Sequence, residues 1–152
     1  MCRIGSVLTL IVLLGACQTG YLAVVRVNTV PAVDHEVIDR LEQEFVSKGF
    51  RVVAAGVADH DARGVSTIAS QYLKADAADE RRAILLDLVY APSRTVDPVL
   101  NVTVTNKKAG KDPTVKAQVK DVASACFNIL ASAYGRVNVE MFEWETGFTP
   151  FH

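Results

Sequence analysis

Residues 112–145, DPTVKAQVKDVASACFNILASAYGRVNVEMFEWE, decide the fold, because they set a long apolar helix directly before a strand. Asp112 is a natural helix cap, Pro113 suits the first helical position, and Gly135 stops the run. Val115, Val119, Val122, Cys126, Ile129 and Ala133 recur at spacings of four and three and form one seam. No charged residue occurs from Val122 to Tyr134, so most of this helix is expected to lie buried against a sheet. Residues 137–145 then read as a strand in which Phe142 and Trp144 alternate with Met141 and Glu143. A strand that is apolar on both sides is either covered twice within the chain or leaves one side for a partner. Phe142 and Trp144 are therefore the candidate partner surface.

Upstream, residues 34–56 repeat the helix-to-strand theme. Val37, Ile38, Leu41 and Phe45 recur at helical spacing from an Asp34 cap, and Gly49 supplies a left-handed stop after which Phe50 folds back on Phe45. FRVVAAG then reads as a strand, as do residues 21–28, 84–91 and 99–106. The proline-bearing connection PSRTVDP makes the last two an antiparallel hairpin. Between FRVVAAG and residue 84, VADHDARG reads as loop, Val65, Ile68, Ala69, Tyr72 and Leu73 mark a short amphipathic helix, and ADAADERRA is its polar extension or a loop. The expected fold is α+β, a two-layer sandwich in which a mainly antiparallel sheet of four to five strands carries two main helices on one face. This order, with its KGFRVV junction, resembles small envelope-assembly lipoproteins such as the lipopolysaccharide-transport component, in topology rather than in any diagnostic motif.

The address of the chain is written in residues 1–20, MCRIGSVLTLIVLLGACQTG. One basic residue, Arg3, precedes an uncharged apolar core from Val7 to Leu14, and small residues follow. The core is far shorter than the roughly 20 residues that span a bilayer. Leu14-Gly15-Ala16-Cys17 resembles the lipobox of bacterial lipoproteins. That resemblance implies that residues 1–16 are a cleaved signal, that Cys17 carries the lipid as the first mature residue, and that 17–20 is a short tether to a single periplasmic domain over 21–152. Two or three acyl chains hold firmly, since each buried methylene contributes about 0.8 kcal/mol. Gln18, which is not aspartate, points to the outer membrane, with inner-membrane retention the other outcome. Strand-like sequence begins at Tyr21, so the domain starts on the order of 10–15 Å from its lipid.

Without residues 1–16, 136 of the 152 residues remain, enough for one core, with 15 basic against 17 acidic side chains. That balance and the compartment argue against a nucleic-acid partner. Cys2 leaves with the signal and Cys17 is acylated, so Cys126 has no partner for an internal disulfide and reads as a buried structural thiol.

Chemistry-bearing clusters are sparse. Asp59, His60 and Asp61 lack a spaced fourth metal ligand and read as a polar loop. His35 stands at a helix start, and Asp87 within ILLDLVY is expected on a solvated strand face. No nucleophile elbow, Cys/His pair or zinc-helix motif occurs, so no catalytic residue, metal or cofactor is assigned. Lys107, Lys108, Lys111, Lys116 and Lys120 fall within fourteen residues and are candidate contacts for anionic lipid head groups or lipopolysaccharide phosphates, or else a solvated lysine-rich hairpin end. The expected function is a non-enzymatic, membrane-anchored module that binds an envelope protein. The alternatives are a lipid- or lipopolysaccharide-binding assembly factor, or a hydrolase or metal-binding protein using the His60 region or Asp87.

Overall fold

A computed structural model describes residues 20–28, 30, 34–60, 66–91, 98–106, 108 and 110–146. The signal, the lipobox and the aromatic tail at Phe148 and Phe151 lie outside the described residues. The chain runs β1 (Gly20–Val27), α1 (His35–Ser47), β2 (Arg51–His60), β3 (Ser66–Lys74), β4 (Ile84–Ala91), β5 (Val99–Asn106), α2 (Pro113–Tyr134) and β6 (Val139–Thr146). Six strands form one sheet in the order β2-β3-β4-β5-β1-β6, and every neighbouring pair is antiparallel.

The fold is thus α+β with two helices, as expected, but the sheet has six strands rather than four or five. The additional strand is β3, where the apolar spacing predicts a helix. Ile68, Ser70 and Tyr72 point into the core while Ala69 and Gln71 are exposed, a period of two. A serine on the inner face hides that alternation, leaving Ile68 and Tyr72 at a spacing that also suits a helix. The ADAADERRA segment is a connection containing a short 3-10 turn at Glu80–Arg82, and β2 runs on through Asp59 and His60 where a loop is expected.

α1 forms as its sequence dictates. The Asp34 carboxylate accepts from the Glu36 N–H, and Val37, Ile38, Leu41 and Phe45 are its buried residues. Gly49 adopts φ +86°, which lets the Phe50 N–H reach the Phe45 carbonyl at 2.9 Å and the Gly49 N–H reach that of Val46 at 3.0 Å. Phe45 meets Phe50 and Tyr72 edge to face, with ring centroids 6.4 and 5.0 Å away. The Tyr72 hydroxyl donates to Glu42 at 2.6 Å, fastening α1 to β3.

α2 starts where Asp112 accepts from the Thr114 and Val115 N–H groups, and Pro113 takes the first position. Its buried residues are Val115, Val119, Val122, Ala123, Cys126 and Leu130. The seam therefore turns onto Leu130 in its last turns, leaving Ile129 half-buried and Ala133 exposed. Asn128 and Ser132 are exposed too, so the uncharged stretch is a face of small and polar residues rather than a wholly buried helix. α2 packs on β1, β5 and β6 and against α1, where Lys48 bridges to Asp121 at 2.7 Å. Gly135, at φ +85°, reverses the chain and sends β6 back along β1.

Candidate interaction surface on the open face of the sheet

Both helices lie on one face, so β6 is an edge strand whose alternate residues look in opposite directions. Val139 is buried and Met141 packs against the core, whereas Phe142 and Trp144 project from the helix-free face, 38% and 49% exposed. Their rings stack, with centroids 5.7 Å apart and planes 15° from parallel. Among the described residues the strand is covered on one side only, and the aromatic pair stands at the border of the open face.

The two edges of the sheet differ. β2 carries register irregularities against β3 between Val52 and Ala54 and between Ala58 and His60, the kind of kink that discourages further pairing. β6 pairs with β1 without interruption from Val139 to Thr146, so its outer edge is straight. Glu140, Glu143 and Glu145 are the charged residues along this strand.

The register also joins two features that lie far apart in the chain. Lys116 and Lys120 on the first turns of α2 border a cleft of about 160 Å³, together with Tyr21, Val119, Glu143 and Trp144. Lys116 pairs with Glu145 and stands 5.8 Å from the centre of the Tyr21 ring. That pairing raises the Lys116 ammonium and lowers the Glu145 carboxyl from their ordinary values. Lys108 and Lys111 sit instead on the connection between β5 and α2, and Lys107 lies outside the described residues. The lysine cluster is therefore divided, with Lys116 and Lys120 on the helix-covered side of β6 and Lys108 and Lys111 at the end of the sheet.

Asn106 is a residue that the sequence reading passes over. Its buried amide donates to the Arg81 and Ala83 carbonyls at 2.7 and 2.8 Å and accepts from the Lys108 N–H at 3.1 Å. It thereby ties the connection before α2 to the one before β4. Arg82 adds to this clasp, with Nε 3.2 Å from Asp112, at an angle too oblique for a hydrogen bond, and NH1 3.6 Å from Asp76. Asn106→Ala strands two carbonyls and is expected to cost about 1–3 kcal/mol. A urea midpoint equal to that of the wild type would contradict this role.

Of the residues considered for chemistry, Asp87 lies half-exposed on the open face and accepts from Gln71 at 2.7 Å, the solvated position expected of it. His35 is exposed at the start of α1. Asp59 and His60 belong to β2, while Asp61 lies outside the described residues. Among the described residues no three His, Cys, Asp or Glu side chains gather as a metal site.

Cys126 is fully buried, and burial pushes its thiol up to about 12. The unfolded chain releases this proton near pH 8.5 while the folded one keeps it, so the thiol's contribution is whole below about pH 8.5 and lost as pH rises toward 12. The loss is at most about 1.4 kcal/mol per pH unit. Tyr72, raised by burial and by Glu42, adds a second alkaline loss that begins above its ordinary value of about 10. Urea midpoints are expected to fall from pH 9 upward by about that slope, less steeply in Cys126→Ala. Equal alkaline slopes in the two proteins would contradict the assignment.

Among the described residues no helix is long and apolar enough to cross a membrane. Comparison with protein families and with characterised proteins found no match for this chain. What the geometry defines is an α+β module with one helix-covered face, one open face and an aromatic pair at a straight edge.

Proposed function

We propose that this protein is a lipid-anchored, non-enzymatic binding module that presents β6 to an envelope protein close to the membrane. The observation that carries the reading is the stacked Phe142–Trp144 pair, exposed on the open face at an uninterrupted edge. Burying such a pair yields a large apolar gain at little conformational cost, which is why aromatics concentrate at the centres of interfaces. The lipobox at Leu14–Cys17 and the start of β1 at Gly20 support a short tether, which keeps this surface near the bilayer. Gln18 favours the outer membrane, with the domain in the periplasm.

The test is purification of the lipidated protein from detergent-solubilised envelopes after mild crosslinking. One membrane protein is expected to accompany it and to be lost on Phe142→Ala. A stably folded Phe142→Ala protein that retains the same companion would overturn the assignment of this surface.

A further inference from the structure

The open face is graded along its strands. Antiparallel register aligns Trp144, Leu22, Thr105, Leu85 and Leu73 as one row across five strands. Four of these five are apolar. The next row is Phe142, Val24, Thr103, Asp87 and Gln71, and the one beyond it Glu140, Arg26, Asn101, Val89 and Ala69. Apolar character is thus concentrated in the row that contains Leu22, two residues from the start of β1. That is the end of the sheet at which the chain arrives from Cys17, only three residues before Gly20.

Charge follows the same gradient. At this end Asp79 is engaged by Arg81, Asp76 and Asp112 by Arg82, and Glu145 by Lys116. Arg51, Lys74, Lys108 and Lys111 have no ion-pair partner among the described residues, against two unpaired acids, Glu80 and Glu143. Lys108, Arg81 and Glu80 border a second hollow, about 250 Å³, in which Leu73, Ala83 and Leu85 form the apolar part. An apolar strip with a half-exposed tryptophan and a free cationic rim matches the interfacial zone of a bilayer with anionic head groups.

We propose that this end of the open face is a membrane-docking surface, with the Trp144–Leu73 row at the head-group boundary and Lys108 and Lys111 on anionic phospholipid. The inference rests on the tethered reading above for its geometry. Docking fixes the orientation of the domain, so that β6 rises from the bilayer with Phe142 above the lipid and its edge open to a protein.

Trp144 is the only tryptophan in the chain, so its emission reports the docking directly. The purified full-length product is placed in vesicles of phosphatidylethanolamine and phosphatidylglycerol containing brominated lipid, and in phosphatidylcholine vesicles with the same bromolipid. Strong quenching is expected in the anionic vesicles and weak quenching in phosphatidylcholine. The exposed double variant Lys108→Glu/Lys111→Glu is expected to lower the docked-to-free ratio by roughly tenfold or more, and high salt to act the same way. Unquenched Trp144 in protein that floats with the vesicles overturns the docking surface and leaves the anchor standing. Should the purified chain carry no lipid, the anchor fails, and vesicles added to it decide the rest. Salt-sensitive quenching then supports the surface, and none overturns it.

Discussion

Replacement of Phe45 by alanine is expected to destabilise the domain by about 3–5 kcal/mol. Phe45 is fully buried on α1 and meets Phe50 and Tyr72 edge to face, so its loss empties the junction of α1, the turn at Gly49 and β3. Domains of this size are stable by only about 5–15 kcal/mol, so the variant sits near the edge of folding. Phe45→Leu keeps most of the volume and is expected to cost about 1.5 kcal/mol or less. Urea denaturation of both proteins checks the pair. An alanine variant within experimental error of the leucine variant would mean that α1 is not clamped on the sheet as described.

Cys17→Ser is expected to abolish lipid attachment entirely and, under the lipobox reading we propose, to leave residues 1–16 uncut. Serine offers no thiol to receive a diacylglycerol, and cleavage by the lipoprotein route follows that step. Intact mass of the envelope-extracted protein is the measurement. The wild type should lack residues 1–16 and carry the added acyl mass, whereas the variant should be the unmodified full-length chain. A wild-type mass without lipid, or a variant processed like the wild type, would contradict the anchor.

Both helices were legible from residues alone, because caps, stops and apolar spacing agree in each. Asp34 and Gly49 bound α1, and Asp112, Pro113 and Gly135 bound α2, with each side chain or φ angle doing what its chemistry suggests. Four strands were legible through β-branched runs, and β6 through its alternation. β3 was not, since Ser70 occupies an inward position and breaks the apolar alternation that would reveal a strand. Half of the candidate site was legible as well. Phe142 and Trp144 stood out as apolar residues on the second face of a strand. That Trp144 shares a cleft with Lys116 and Lys120, and a row with Leu22, Leu85 and Leu73, depends on the register of β6 with β1 and on where α2 crosses them. Neither is encoded locally. Asn106 was passed over for the same reason, because its hydrogen bonds reach residues up to 25 positions away.

The presentation of β6 to an envelope protein is tested most directly by a photoreactive amino acid placed in turn at position 142, beside Trp144 on the open face, and at position 137. Val137 is 93% exposed in the turn before β6, against 38% for Phe142, and serves as a more accessible control. Irradiation of intact cells is predicted to give one discrete crosslinked product from position 142 and none from position 137. The same products from both positions, or none from position 142 in a protein that is folded and anchored, would contradict the account.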